Sequence, residues 1–342
     1  NKIYKLGKPF TKELELIEST FHWAIEQDTS KIQSLSDTGA PVYVVGSGGS
    51  LSACYFAVYL LQNMGITAKA ITPLELYYSR HALSKSRILF LSASGKNSDI
   101  LFAFKKSLES NPLEITTICM RKGTPLTKLA NKYSIANAIE FQLPSGKDGF
   151  LATNSLLAYF SILHKSFQKP GTNSIVNFKE NFELSIKTFL DKITTDHTIT
   201  ILYGGWGHPV AIDIESKFTE AALGNIHMSD YRNFAHGRHH WFAKRGKDSA
   251  IIALITPEEE GIAKKTLSIL PESIPKLLIT TDKDSSIGSL ELLIKSFTLV
   301  NFTGQKQKID PGRPGVPKFG RLLYNLKYSS LYNEKKKSYQ QA

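Results

Sequence analysis

The feature that most constrains the fold is a junction. Val42-Tyr43-Val44-Val45 is a short apolar run, and it passes without a spacer into Gly46-Ser47-Gly48-Gly49-Ser50. Leu51 to Met64, immediately after, reads as a helix opened by that loop. A strand that ends in glycines and gives way at once to a helix is the local unit of a parallel α/β sheet. The unit recurs. Ile88 to Leu91 ends in Ser92-Ala93-Ser94-Gly95 and opens a helix near Ile100, and Ile115 to Met120 leads to a helix over Leu126 to Tyr133.

The second half repeats the order. Thr200-Ile201-Leu202-Tyr203 runs into Gly204-Gly205-Trp206-Gly207, and a helix follows with Pro209 in its first turn, where proline is tolerated. Ala250 to Ile255 and Lys276 to Thr280 read as further strands. Corresponding strands lie about 160 residues apart, a domain-sized interval. The expected architecture is α/β, with two similar doubly wound parallel-sheet domains joined by a helical linker. Its parts are an N-terminal helical segment over 1–35, a first domain over 36–176, the linker over 177–197, a second domain over 198–305, and a C-terminal loop with a basic tail over 306–342. Within the first part, Thr11 to Leu35 reads as one amphipathic helix closed by a turn at Asp37-Thr38-Gly39.

Composition narrows the classes. The 342 residues fit about two domains, and 42% hydrophobic content with 21% charged excludes a disordered chain. Two cysteines, Cys54 and Cys119, cannot build a disulfide framework, so a reducing cytoplasm is expected. No apolar run approaches the roughly 20 residues of a membrane helix. A formal charge of +12 points to anionic ligands. The basic residues are dispersed and no nucleic-acid motif appears, which argues against nucleic acid as the partner.

The loops carry the chemistry. Gly46–Ser50, at a strand-to-helix junction, presents backbone N–H groups and a helix dipole to an anion. It lacks the Gly-Lys-Ser/Thr of a P-loop, and Leu51 stands at the last glycine position of a dinucleotide fingerprint, so an ordinary tight turn reads equally well. Ser92 to Ser98 adds hydroxyl and amide donors, which suit either a phosphate or a serine-rich helix cap. Asp213, Lys217 and Glu220 share one face of a helix, which by itself reads as a solvated charged face. His227, His236, His239 and His240 lack regular metal-ligand spacing, so no metal is expected.

These loops, in two domains of one layout and with Gly123-Thr124-Pro125-Leu126 after the third strand, resemble the sugar isomerase (SIS) family of phosphosugar-binding proteins, and in particular the isomerase half of glucosamine-6-phosphate synthase. The resemblance spans roughly residues 40 to 320. It implies a phosphosugar site at the ends of the first domain's strands, with Ser47, Gly48, Ser92, Ser94, Gly95, Asn97 and Thr153 as substrate or phosphate contacts. It also implies a helical glutamate proton shuttle, Glu220, and a loop histidine for ring opening, His236. Lys217 and Lys318 are then the candidate amines near the open-chain carbonyl. Asn97 stands where the family commonly has Thr, Ala93 replaces a Gln, and Arg238 replaces the Pro expected after Gly237. Compared with the Asp…Pro-Arg…Lys segment of that relative, Asp310 to Lys318 holds about one extra residue between Arg313 and Lys318.

Such a set suits aldose–ketose isomerisation, in which a proton moves between C1 and C2 through an enediol. A carboxylate shuttles the proton, an imidazole exchanges the ring-opening proton, a lysine stabilises the enediolate, and a phosphate loop orients the far end. The resemblance implies an isomerase or amino-sugar-phosphate isomerase/deaminase that needs no cofactor, acts on a small sugar phosphate and works as a homodimer. A deglycase of phosphorylated fructosamines uses the same enolisation, and a non-catalytic phosphosugar sensor is the other alternative.

Overall fold

The computed structural model describes residues 7–37, 39–168, 176–178 and 182–327. From the N-terminus come α1 (Phe10–Leu14), α2 (Ile17–Glu26) and α3 (Ser30–Gln33), then β1 (Val42–Val45), α4 (Ser50–Asn63), β2 (Ala68–Ile71), α5 (Pro73–Ser79) and β3 (Arg87–Leu91). They are followed by α6 (Ser98–Leu108), β4 (Glu114–Cys119), α7 (Pro125–Ala130), β5 (Ala136–Glu140), α8 (Asn154–Phe167) and α9 (Glu183–Leu190). Next are β6 (Thr198–Tyr203), α10 (His208–Glu220), β7 (Asn225–Asp230), α11 (Tyr231–Asn233), α12 (His240–Arg245) and β8 (Ser249–Ile255). The chain closes with α13 (Glu260–Ile269), β9 (Lys276–Thr280), α14 (Ser285–Gln307) and α15 (Lys318–Tyr324).

Two compact units result. One comprises Asp28–Gly146 with the described residues from Gly315 onward, and the other Gly7–Gln27 with Lys147–Pro314. The first holds a five-stranded sheet in the order β2-β1-β3-β4-β5, the second a four-stranded sheet in the order β7-β6-β8-β9. Every pairing is parallel. The two parallel α/β sheets expected from the strand–loop–helix repeats are what the chain adopts. In each sheet the strand order reverses beside the first strand, between β1 and β3 and between β6 and β8. In open α/β sheets ligands bind at such a switch point, outside the carboxyl ends of the strands.

Local chemistry accounts for the elements. In the first unit Ile88, Phe90, Ile100, Phe104 and Ile115 pack in one buried cluster, in the second Leu202, Ile251, Ala253 and Ala263 in another. Gly46 ends β1 where a Cβ would lie 2.6 Å from Cys54 Sγ, so only glycine lets α4 pack back on the strand. Thr72 and Glu75 form a reciprocal capping box at the start of α5, and Thr124 accepts from Thr127 N–H at the start of α7.

Some expectations change. Thr11 to Leu35 is several short helices, and one break follows from Asp28, whose side chain accepts from Ser30 N–H at 3.0 Å and turns the chain locally. Thr38 lies outside the described residues, as do 179–181 in the expected linker, where the helix runs over Glu183–Leu190. Residues beyond Lys306 include a turn pinned by Asp310, which accepts from Phe10 N–H and Gly312 N–H at 3.0 Å each, and then α15.

Candidate functional site

The switch point of the first unit is flanked by the loops after β1 and β3. Gly48 has φ +54°, and Ser47 beside it is half-buried. In the second loop Gly95 N–H donates to Ser92 Oγ at 3.2 Å, and Lys96 N–H donates to Ser94 Oγ at 3.4 Å. Asn97 caps α6, accepting from Asp99 N–H at 2.7 Å. Thus Ser47, Gly48, Ser92, Ser94, Gly95 and Asn97 all sit on the two loops that leave the strands beside one switch point. The cap function weighed for this serine-rich loop belongs to Asn97 alone. Ser92 and Ser94 stay half-buried at the strand end with their hydroxyl hydrogens available to a ligand.

A support that sequence reasoning missed lies under this loop. Gly95 has φ +58°, and a Cβ there would meet Thr124 Oγ1 at 2.5 Å. Leu126 N–H donates to Gly95 O at 3.0 Å, and Thr124 N–H donates to Glu140 Oε1 at 3.2 Å. Burial pushes the Glu140 carboxyl up. Bonds from Thr127 and the amides of Gly123 and Thr124, with Lys122 nearby, outweigh that and hold it below the usual carboxylate range. Glu140 therefore fixes the turn that Gly95 packs on. The Gly-Thr-Pro turn was visible in sequence, whereas nothing there singled out Glu140.

In the second unit the corresponding switch point is filled by the chain itself. A Cβ on Gly204 would lie 2.3 Å from Glu259 Cγ, and one on Gly205 would lie 2.5 Å from Glu259 Oε1. Glu259 accepts from Thr256 Oγ1, and burial raises its carboxyl. The glycines of this second loop therefore make room for a carboxylate of their own unit. Tyr203 stacks on His208 at 4.6 Å beside it, and burial lowers the His208 imidazole even though Asp230 opposes this.

The helix face of α10 divides. Asp213 and Lys217 are paired in the core with side chains 0% and 2% exposed, and Lys217 Nζ also lies 4.9 Å from the Phe297 ring centre. The solvated face expected for these two residues is instead a buried ion pair, because their turn of the helix packs against α14. Burial raises the Asp213 carboxyl, partly offset by Lys217. Glu220, by contrast, is exposed and accepts from Ser216 Oγ at 2.6 Å. His236 is exposed in a π-type turn after β7 and is followed by Gly237 at φ +102°.

Glu220 and His236 do not meet within this unit. Glu220 ends α10 ahead of Asn225, where β7 begins, and His236 follows Asp230, where β7 ends. The two ends of β7 are about 17 Å apart at roughly 3.3 Å per residue. Thr153, also in this unit, is fully buried, and its hydroxyl donates to Leu151 O at 3.2 Å. Lys318 is the exposed first residue of α15, in the first unit. Among the described residues no group of three His, Cys, Asp or Glu is placed to hold a metal, and no helix is long and apolar enough to cross a membrane. His227 meets the edge of Trp241 at 5.2 Å.

No family model matches the chain, and no curated protein matches it in sequence. Solved structures do. Tagatose-6-phosphate ketose/aldose isomerase from Escherichia coli is 13% identical over 90% of this chain and 95% of that one, with a TM-score of 0.69. Glucosamine-6-phosphate deaminase from Thermotoga maritima is 15% identical over 89% and 97%, TM-score 0.68. The C-terminal domain of glucosamine-fructose-6-phosphate aminotransferase from Francisella tularensis is 14% identical over 86% and 93%, TM-score 0.62. At these identities the likeness is one of fold, and the fold of this chain is that of the phosphosugar isomerases.

Proposed function

We propose that the protein is a sugar-phosphate isomerase, or an amino-sugar-phosphate isomerase/deaminase, that works through an enediol(ate) on the open-chain sugar. The observation that carries this reading is the first unit's switch point, flanked by Ser47 and the Ser92–Asn97 loop. The fold shared with phosphosugar isomerases and a deaminase supports it. In this reading Ser92 and Ser94 donate to the phosphate, with Ser47 and Gly48 closing the other side. Ser92 and Ser94, whose oxygens accept from the loop's own amides, orient the substrate by its remote end through their O–H groups.

His236 then takes the ring hydroxyl proton and delivers it to the ring oxygen. Glu220 removes the C2 proton of the aldose and returns it to C1, or the reverse, and Lys318 lies against the developing oxyanion. Lys217 is not part of this scheme, since its ammonium is held in the core by Asp213. Because Glu220 and His236 leave opposite ends of one sheet, a single substrate meets both only when a second copy supplies one of them. The functional unit in this reading is a homodimer with shared sites.

The separation also favours a second reading, a phosphosugar-binding regulatory protein without chemistry. One experiment separates them. The protein is incubated with aldose, ketose and amino-sugar phosphates and phosphorylated fructosamines in deuterated water, and deuterium at C2 is followed by NMR. Exchange that vanishes in Glu220→Gln supports enolisation, and product analysis then distinguishes isomerase, deaminase and deglycase. Binding without exchange selects the regulatory protein, and neither binding nor exchange removes both readings.

A further inference from the structure

Among the described residues fifteen large hydrophobic side chains are substantially exposed, and five of them fall within eight consecutive positions. These are Phe319, Leu322, Leu323, Tyr324 and Leu326, each 58–69% exposed. No residue of α15 is buried. Phe319, Leu322, Leu323 and Leu326 follow the i, i+3, i+4, i+7 spacing of one helix face, in α15 and its immediate continuation. A helix this short, with no buried face, is marginal in water by itself.

We propose that this stripe is a dimerisation arm: α15 buries Phe319, Leu322, Leu323 and Leu326 against a second copy of this chain, and so fixes Lys318, its first residue, at the interface. The inference rests on the proposed function, which needs a second copy to bring Glu220 and His236 to one substrate. The area fits. With about 150–250 Å² for a buried aromatic side chain, and somewhat less for leucine, the four stripe residues leave on the order of 450 Å² of apolar surface on the arm, Tyr324 lying on the opposite face. A standard interface buries about 800 Å² per partner, so the arm supplies about half of one side before its acceptor is counted. A patch of that size is on the scale of the largest apolar patch of a typical monomer, which is often functional.

The test is sedimentation velocity of the full chain across a dilution series. The wild type is expected to be a dimer at about 10 μM, and Leu322→Glu/Leu323→Glu to associate at least about 100-fold more weakly, as loss of a central anchor does. The milder Leu322→Ser/Leu323→Ser, with an unchanged melting temperature, shows that any loss is not unfolding. Leu184→Glu, at an equally exposed leucine of α9, is expected to leave the dimer intact. A variant that stays dimeric, or a wild type monomeric throughout, overturns the arm. A monomeric wild type that co-sediments with phosphatidylserine vesicles overturns it in favour of an anionic bilayer. The two proposals fail separately: lost dimerisation with no C2 exchange in the wild type leaves the arm and removes the isomerase, and exchange with a variant that stays dimeric does the opposite.

Discussion

Gly95 joins the Ser92–Asn97 loop to its support, and no other residue type fits there. Its φ of +58° lies in the left-handed region, and its missing side chain is what admits Thr124 Oγ1. Gly95→Ala forces the loop off Thr124 or accepts strain of about 1–3 kcal/mol. Because the loop borders solvent, the expected outcome is displacement of Ser92 and Ser94 with the rest of the unit folded. Phosphosugar affinity, measured by calorimetry, is expected to fall at least tenfold while the thermal midpoint moves by a few degrees. Unchanged affinity would separate this loop from the ligand. The glycine was legible in sequence as part of a Ser-x-Ser-Gly turn. Its need for Thr124 and, through it, Glu140 was not, because those contacts join residues far apart in the chain.

Elements were legible in proportion to their burial. The interior strands β1, β3, β4, β6 and β8 read as apolar runs because helices cover both faces of a parallel sheet, and the edge strand β9 carries one as well in Leu277-Leu278-Ile279. The other edge strands, β2, β5 and β7, carry Lys69, Asn137 and His227 at exposed positions, so they gave no run to read. The same rule hides α15, whose apolar stripe faces solvent, and misreads α10, where a buried Asp213–Lys217 pair looks like a surface pair. Helix α8 offers a test at this scale. Burial pushes the His164 imidazole on α8 down to about 4, while its Nδ1 lies 2.7 Å from Ser286 Oγ of α14. The unfolded chain takes up this proton near pH 6.5 and the folded one only near 4. Stability from this group is therefore complete above about pH 6.5 and is lost as pH falls toward 4, by up to about 3 kcal/mol. Urea unfolding at pH 7 and at pH 4.5 should show that slope, and His164→Gln should flatten it. An equal slope in the variant would assign the acid sensitivity to other groups.

At the scale of the whole molecule the decisive fact is that one copy separates the two residues most closely tied to the proposed chemistry. The resemblance makes Glu220 and His236 a working pair, yet their separation along the chain says nothing of which end of a strand each residue leaves. The strand β7 between them, unread in the sequence, is what sets them apart. If each substrate meets Glu220 of one copy and His236 of the other, two inactive variants can repair each other. Glu220→Gln supplies an intact histidine and His236→Ala an intact glutamate. In a two-fold dimer formed from both, one site is intact and the other lacks both groups. Random exchange at equal concentrations makes half of the dimers mixed, so recovery is expected to reach about a quarter of wild-type activity. Either variant alone should stay inactive at any concentration. If mixed dimers are shown to form by mass and no activity returns, both groups do not act on one substrate across two copies, and the shared site is wrong. Recovery near a quarter would instead mean that the distance across β7 is bridged by symmetry rather than by movement within a copy.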